Sequence, residues 1–559
     1  MEFKKISIKN FRNFEDIEID ITNKNIFFGL NDIGKTNFLY AMRYIFDKDI
    51  RKNGFLDSDF HRKNIDSPIE IIVVLDISDT DDSDTQKLRA QLKEVMRSNH
   101  TEAFIKLIAE YDVQDLVAMP IMSWGDSLDH LYEIKQKGYR YELDYVFNVI
   151  YIDSYVELHS LFRKNINWLI RSDQEDDNDI LQDIQSALDQ LNMNISNLSG
   201  VKEFEKKITP EYQKFRDEGI SISIKSEIAV KGLYSNIVPY IKQDNDENLY
   251  PTAGEGRKKL LSYSIFGLLS EQSEERKINI FLVEEPENHL HKSMQIALSQ
   301  ILFAKDKYRY LFVTTHSPFV LYGMDHVSLI RIFHGSTIDS ASYFYKVLPN
   351  FEKTRKMLNR CLAEAVFAST VLLVEGPSEV LLFERVLSII NPFYEVNGIY
   401  ILSVEGIGFE KYHEILNALG IKLIIKTDND LRCPHGKKQY MAYGFQRCNK
   451  MIGKELLAIQ SCMNNSEEKK RSLYAEQRET LDNIRKDYGI FLSKVDLEND
   501  LDEVLHDQLC KYLDTDSPVK YLQKAKRFHM VELISVITDD DCSAIFNHYN
   551  FSCLKEILK

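Results

Sequence analysis

Two apolar runs in the second half of this chain end in carboxylates. VLLVEGPSE places Glu375 at the end of one run and Glu379 four residues later, and IKLIIKTDND ends in Asp428 and Asp430. The order of strand-like and helix-like segments around them predicts a parallel sheet, in which functional groups gather at the carboxyl ends of strands. Crowded carboxylates raise one another's pKa, and a bound cation removes that cost. An all-oxygen set of this kind suits Mg²⁺ or Mn²⁺. Pro377 and Ser378 favour a helix start, which puts Glu379 in a first turn beside Glu375. Taken singly, each motif also reads as an acidic end to an ordinary strand; the pair favours an ion. Further on, Asp496, Glu498 and Asp500 alternate in VDLEND, either as ligands of a second metal or as a helix start. Two metals roughly 4 Å apart would activate water and stabilise the leaving oxygen in phosphodiester cleavage. A lysine nearby would steady the developing charge, and YLQKAKRF offers Lys524 and Lys526.

The first half carries a second kind of chemistry. Gly29-Leu-Asn-Asp-Ile-Gly34-Lys35-Thr36 fits GxxxxGK[ST], with a strand-like NIFF before it and an amphipathic TNFLYAMRYIF after it. Such a loop, Asn31 and Gly34 included, turns backbone N–H groups toward a phosphate at a helix N-terminus. Lys35 would meet the β/γ-phosphates and Thr36 a Mg²⁺ ion. FLVEEPE ends another strand in Glu284 and Glu285. The first would hold Mg²⁺ through water, and the second would polarise an attacking water. His316 in TTHSP, again at a strand end, is placed to sense a γ-phosphate, although a lone histidine is more often structural.

These sites need scaffolds. At 559 residues the chain predicts two to four domains, and its net charge of -16 argues against a generally basic nucleic-acid surface. A local basic groove or metal-bridged contacts remain open to it. Seven dispersed cysteines without a CxxC pair suit a reducing compartment, and the paired spacing for zinc is missing around Cys433, His435 and Cys448. No apolar run approaches membrane-spanning length, and the N-terminus has no apolar signal core, so a cytoplasmic protein without membrane contact is expected. Residues 1–30 alternate as strands, Phe38, Met42, Ile45 and Phe46 share one helix face, and 69–77 is a strong strand. A charged helical insertion is expected over about 155–225, with a new βαβα unit from about 350 and a mostly helical remainder from 432.

The order of P-loop, Thr252–Lys258 as signature, Glu284 and His316 resembles the ABC-type ATPase heads of the SMC/Rad50 and OLD families. Ala253 stands where the signature serine is usual, and Glu284 where an aspartate is usual. EGPSE followed by DxD resembles the Toprim domain. An ABC head followed by Toprim resembles the OLD nuclease family, and within it the nuclease subunits of the Gabija antiphage defence system. FRNF, NDIGKTNFLYA, KSEIAVKG, EEPE, THSP, EGPSE, IIKTDNDL, DLENDL and YLQKAK carry the likeness over nearly the whole chain.

The resemblance implies an α/β fold: an ABC-type ATPase domain over 1–348 with a helical dimerisation insertion, then a Toprim nuclease domain over 349–559 with helical C-terminal additions. It implies metal ligation by Glu375, Glu379, Asp428, Asp430, Asp496 and Glu498, and catalytic roles for Glu375, Asp428, Asp496 and Lys526. Asp496 stands where many OLD proteins have serine. It further implies ATP with Mg²⁺ at the P-loop, a DNA substrate, a homodimer or tetramer, and a UvrD-like helicase partner, GajB. The expected function is ATP-regulated, metal-dependent DNA cleavage in bacterial antiphage defence. The competing expectations are a nucleotide-switched DNA clamp or scaffold without cleavage, and a topoisomerase-like enzyme. The latter needs a tyrosine nucleophile, and none of the 29 tyrosines is singled out by its context.

Overall fold

The computed structural model describes residues 1–30, 33–92, 101–138, 140–155, 178–213, 223, 225–226, 240–242, 249–251, 254–273, 277–303, 308–334, 337–346, 352–405, 408–436 and 438–559. Asn31 of the P-loop, Thr252 and Ala253 of the signature stretch, and most of KSEIAVKG lie outside the described residues. The chain divides into two compact units: Met1–Ser154, Arg276–Glu287 and His291–Lys559 form one, and Tyr155–Glu275 with Asn288–Leu290 the other.

The alternating N-terminal segments become an antiparallel six-stranded sheet, in the order Phe14–Asp20, Glu2–Phe11, Ile69–Asp76, Glu102–Ala109, Pro120–Ser127, His130–Glu133. A second six-stranded sheet runs Phe147–Ile152, Ile278–Glu284, Tyr310–Thr314, Lys24–Phe28, Val327–His334, Ile338–Tyr345. All its pairs are parallel except the last. Strands of a parallel sheet covered on both faces read as unbroken apolar runs. Accordingly every residue of Ile278–Glu284 and Tyr310–Thr314 is buried. The helix Lys35–Phe46 buries Phe38, Met42, Ile45 and Phe46, which join residues of both sheets in one apolar core. Phe38 packs on Phe27 with ring centroids 3.9 Å apart, and Phe3 reaches across to Phe312 at 5.2 Å.

The βαβα pattern from residue 350 gives a four-stranded parallel sheet in the order Ile399–Ser403, Thr370–Val374, Lys422–Thr427, Ile490–Leu492. Its core unites strand residues Leu372, Val374 and Ile424 with Leu382, Phe383, Leu501 and Leu505 of the covering helices. The fourth strand is only three residues long, set off by Gly489 at φ 66°, and the sequence reading passed over it. The mostly helical remainder also contains a small antiparallel ribbon of Leu431–Arg432, Tyr440–Ala442 and Ser461–Cys462. Arg331 of the second sheet joins the two halves by donating to the main-chain carbonyls of Gly420 (2.9 Å) and Ala368 (3.3 Å).

In the other unit, the described part of the expected insertion is helical, Asn178–Ser196 and Ser199–Gln213, with most of its acidic patch (173–177) outside the described residues. Gly254 precedes the helix Glu255–Ser273. No helix among the described residues is long and apolar enough to cross a membrane.

Beneath the four-stranded sheet, Lys426 and Asp500 form a buried ion pair at 2.6 Å, and Lys426 also donates to the Asn550 carbonyl. Removing one partner leaves an uncompensated buried charge. Asp500→Ala is expected to destabilise the fold by about 3–5 kcal/mol, and the joint replacement Lys426→Met with Asp500→Leu by much less, measured by urea unfolding followed by circular dichroism.

Candidate functional site

Three neighbouring strands bring the nucleotide residues together, because Tyr310–Thr314 lies between Ile278–Glu284 and Lys24–Phe28. Gly29 leaves the last of these at φ 146°, and a Cβ there would stand 2.4 Å from the Ile332 carbonyl oxygen, so only glycine fits. Gly34 heads the helix at φ 102°, with no acidic residue in the first turn to oppose an anion. Gly34, Lys35, Thr36, Glu285 and His316 line one open cavity of about 780 Å³ with Asn13 and Asn37. The Lys35 ammonium donates to the carbonyls of Gly29 (3.1 Å) and Leu30 (2.6 Å). Thr36 donates its hydroxyl to Glu284, so the two expected Mg²⁺ residues meet. His316 Nε2 lies 2.9 Å from Glu285 Oε1, and Glu285 itself sits at φ 41°, a strained setting for a side chain with a Cβ.

Two residues of this site escaped the sequence reading. Tyr151, near the end of Phe147–Ile152, donates its hydroxyl to Glu284 Oε2 at 2.5 Å. Glu287 is buried and clasps the histidine loop, with Oε1 accepting from Thr315 Oγ1 (2.9 Å), His316 N (2.6 Å) and Ser317 N (3.1 Å). Burial pushes its carboxyl up, against those hydrogen bonds.

At the second site the strand ends carry Glu375 and Asp428, and the short fourth strand leads to Asp496. Pro377 opens the helix Pro377–Ile390, with Glu379 buried in its first turn. Burial pushes Glu379 up to about 7, and the charges of Glu375 and Glu498 add to it. Asp428 is raised well above the usual carboxylate range by burial, then by Glu375, Glu379 and Asp496. Lys526 opens its own helix, Lys526–Val536, and sits 3.4 Å from Glu498 Oε1. Burial would lower the Lys526 ammonium, but Glu498, Asp428, Asp496 and Glu379 raise it instead.

The remaining members are differently engaged. Asp496 caps the helix Leu497–Tyr512, accepting from Asn499 N at 2.9 Å and from Gln523 Nε2 at 2.8 Å. Asp430 pairs with Arg447 at 2.8 Å, and the same guanidinium is bound to Glu375 and Thr427. Burial favours a protonated Glu375, but Arg447, the Asp428 amide and the Thr427 hydroxyl outweigh it and hold the carboxyl below its usual range. Arg447 lies in the helix Tyr443–Ile452, which rests directly on the acidic loop: a Cβ at Gly444 would stand 2.8 Å from the Asp428 carbonyl oxygen.

With oxygens committed in this way, no three His, Cys, Asp or Glu side chains among the described residues converge as a ready-made ion cage. The donor set nevertheless fits a hard divalent ion. Every donor is oxygen, four carboxylates share one electrostatic neighbourhood, and Glu498 Oε2 is buried without a hydrogen-bond partner. Cys433 is exposed and Cys448 buried, its thiol pushed up to about 12 by burial.

The AAA ATPase domain family matches residues 1–321, and the overcoming lysogenization defect protein-like TOPRIM domain family matches residues 366–430. The molecule is therefore an AAA-type ATPase domain joined to a Toprim domain. Endonuclease GajA of Bacillus cereus (strain VD045) is 44% identical over 574 residues, which cover 100% of this chain and 99% of that one. The C-terminal region of the Burkholderia pseudomallei OLD protein is 20% identical, covering 34% of this chain and 97% of that one, with a TM-score of 0.25. The SMC head domain from Thermotoga maritima is 14% identical, covering 62% and 100%, with a TM-score of 0.32. The chain belongs to the GajA endonuclease family.

Tyr151→Phe removes a hydrogen bond to a charged acceptor, worth about 1.5–3 kcal/mol. It is expected to weaken Mg²⁺-dependent binding of a fluorescent ATP analogue by at least tenfold and to leave binding in EDTA unchanged. Arg447→Met leaves Glu375 and Asp430 without their counter-charge. Because both acids are partly exposed, a loss of about 2 kcal/mol is expected, read by chemical denaturation in EDTA.

Proposed function

We propose that this endonuclease cleaves DNA with divalent metal ions at its Toprim site, under the control of ATP bound at the P-loop, in defence of a bacterial cell against phage. The observation that carries this reading is the meeting of two acids at adjacent strand ends, where the Asp428 amide donates to Glu375 Oε1 at 2.9 Å, with Lys526 held 3.4 Å from Glu498 in the same half. Glu375, Glu379, Asp428 and Glu498 would hold Mg²⁺ or Mn²⁺, with Asp496 at the margin. An ion held there would supply Lewis acidity to water and to the leaving oxygen. Lys526 brings a fixed positive charge to the phosphate, where negative charge grows as the P–O bond breaks. Glu375 is kept ionised by Arg447 and Thr427, and Asp428 faces it across adjacent strands.

At the other site Lys35 would leave its loop carbonyls for the phosphates, while Thr36 and Glu284 would hold Mg²⁺. Glu285 would orient water, with His316 reporting the γ-phosphate. Arg331 offers a direct route between the halves, since its strand pairs with Lys24–Phe28, which leads into the P-loop. The family likeness supports assembly as a dimer or tetramer through the helical unit, a cytoplasmic location and a GajB helicase partner.

Supercoiled plasmid incubated with Mg²⁺ or Mn²⁺, with and without ATP, tests the reading. Glu375→Ala is expected to lower the cutting rate at least 100-fold without loss of ATP binding. Lys35→Ala is expected to abolish the difference between the ATP lanes. Undiminished cutting by Glu375→Ala would move the nuclease elsewhere. Binding of plasmid by the folded wild type without any cutting would favour a nucleotide-switched clamp.

A further inference from the structure

Between Pro518 and Val531 this acidic chain carries Lys520, Lys524, Lys526 and Arg527 and not one aspartate or glutamate. The segment is pinned at its inner side. Leu522 and Met530 are buried, Gln523 holds Asp496, and His529 stacks on Tyr521 with centroids 4.0 Å apart. Lys526 reaches the carboxylates, while Lys524, Arg527 and Phe528 face outward. The Phe528 ring is 72% exposed, although it stands two residues from the lysine at the site.

We propose that Lys524, Arg527 and Phe528 form a grip for the nucleic-acid strand that enters the carboxylate site, with the two cations on backbone phosphates and the Phe528 ring stacked on a base beside the scissile bond. This rests on the endonuclease reading above and adds to it the residues that seat the strand. Cations satisfy phosphates whatever the sequence, and an aromatic face stacks on any base. Together they bind a strand next to acids that would otherwise repel it. The pinned backbone presents the ring in place, so little ordering is required on binding. Val531 and Val536 are also exposed on this helix, with Glu532 and Ser535 between them, which raises a second copy of the chain as the rival occupant. A two-fold contact centred on Phe528 would set Lys524 and Arg527 of both copies against each other, whereas a polyanion would neutralise them.

The test uses the full-length protein and a fluorescein-labelled duplex with a single-stranded end in Ca²⁺, read by anisotropy across a salt series, with plasmid cutting in Mg²⁺ run alongside. Phe528→Ala is expected to weaken binding about tenfold with an unchanged salt slope, and Phe528→Tyr to restore it. Lys524→Ala with Arg527→Ala is expected to flatten the salt slope by about 0.9 for each charge removed. Wild type that cuts while Phe528→Ala binds and cuts equally well overturns the grip alone. A drop in oligomeric mass by light scattering, with affinity per protomer unchanged, assigns the face to self-association and also overturns it. Wild type that neither binds nor cuts nucleic acid overturns the endonuclease reading beneath it.

Discussion

Negative charge gathered at the end of a buried sheet must be answered by positive charge within reach, and much of the second half is arranged around that demand. Four acids share one neighbourhood at the ends of three parallel strands. The protein supplies Arg447 on one side, between Glu375 and Asp430, and Lys526 on the other, beside Glu498. One layer below, Lys426 and Asp500 cancel each other out of water. The same residue types thus serve two purposes a few residues apart. A pair matched charge for charge holds sheet to helix, while a cluster with more acids than cations keeps a surplus for an ion.

Much of the fold was legible because the sheets impose their periods on the sequence. Unbroken apolar runs gave the parallel strands, and the P-loop was readable because each fixed residue answers a steric or charge requirement, as Gly29 illustrates. The three-residue strand Ile490–Leu492 has too few residues to display a period, so the scaffold for Asp496 went unseen. Asp496 and Asp430 show what letters leave open. Both fit a ligand pattern, yet one caps a helix and the other anchors an arginine. Arg447 and Tyr151 were illegible for a related reason. An arginine in an amphipathic helix reads as a solvated face, and a tyrosine near a strand end reads as packing. Only Gly444, small where the helix meets the acidic loop, hinted at the close approach.

The first half answers a similar demand with hydroxyls rather than cations. Glu284 is longer by one methylene than the aspartate usual in such sites. Thr36 and Tyr151 hold it from two sides, which fixes the extra torsion. Glu287 ties the histidine loop to the glutamate loop through main-chain amides, so His316 and Glu285 are set by the backbone as well as by their own contact. The candidate nucleotide site is thus framed by side-chain and main-chain hydrogen bonds at three strand ends.

Arg331 grips main-chain carbonyls of the second half, and no side chain there takes part in those bonds. This part of the seam is written in backbone and is indifferent to the letters beside it. Its requirement is the shape of the turn at Gly420, which the left-handed φ of 64° places under glycine's protection. The letters flanking that turn are thus free to change without loosening Arg331, whereas Glu414 and Phe367, which meet Tyr343 and Phe28 through their side chains, are not.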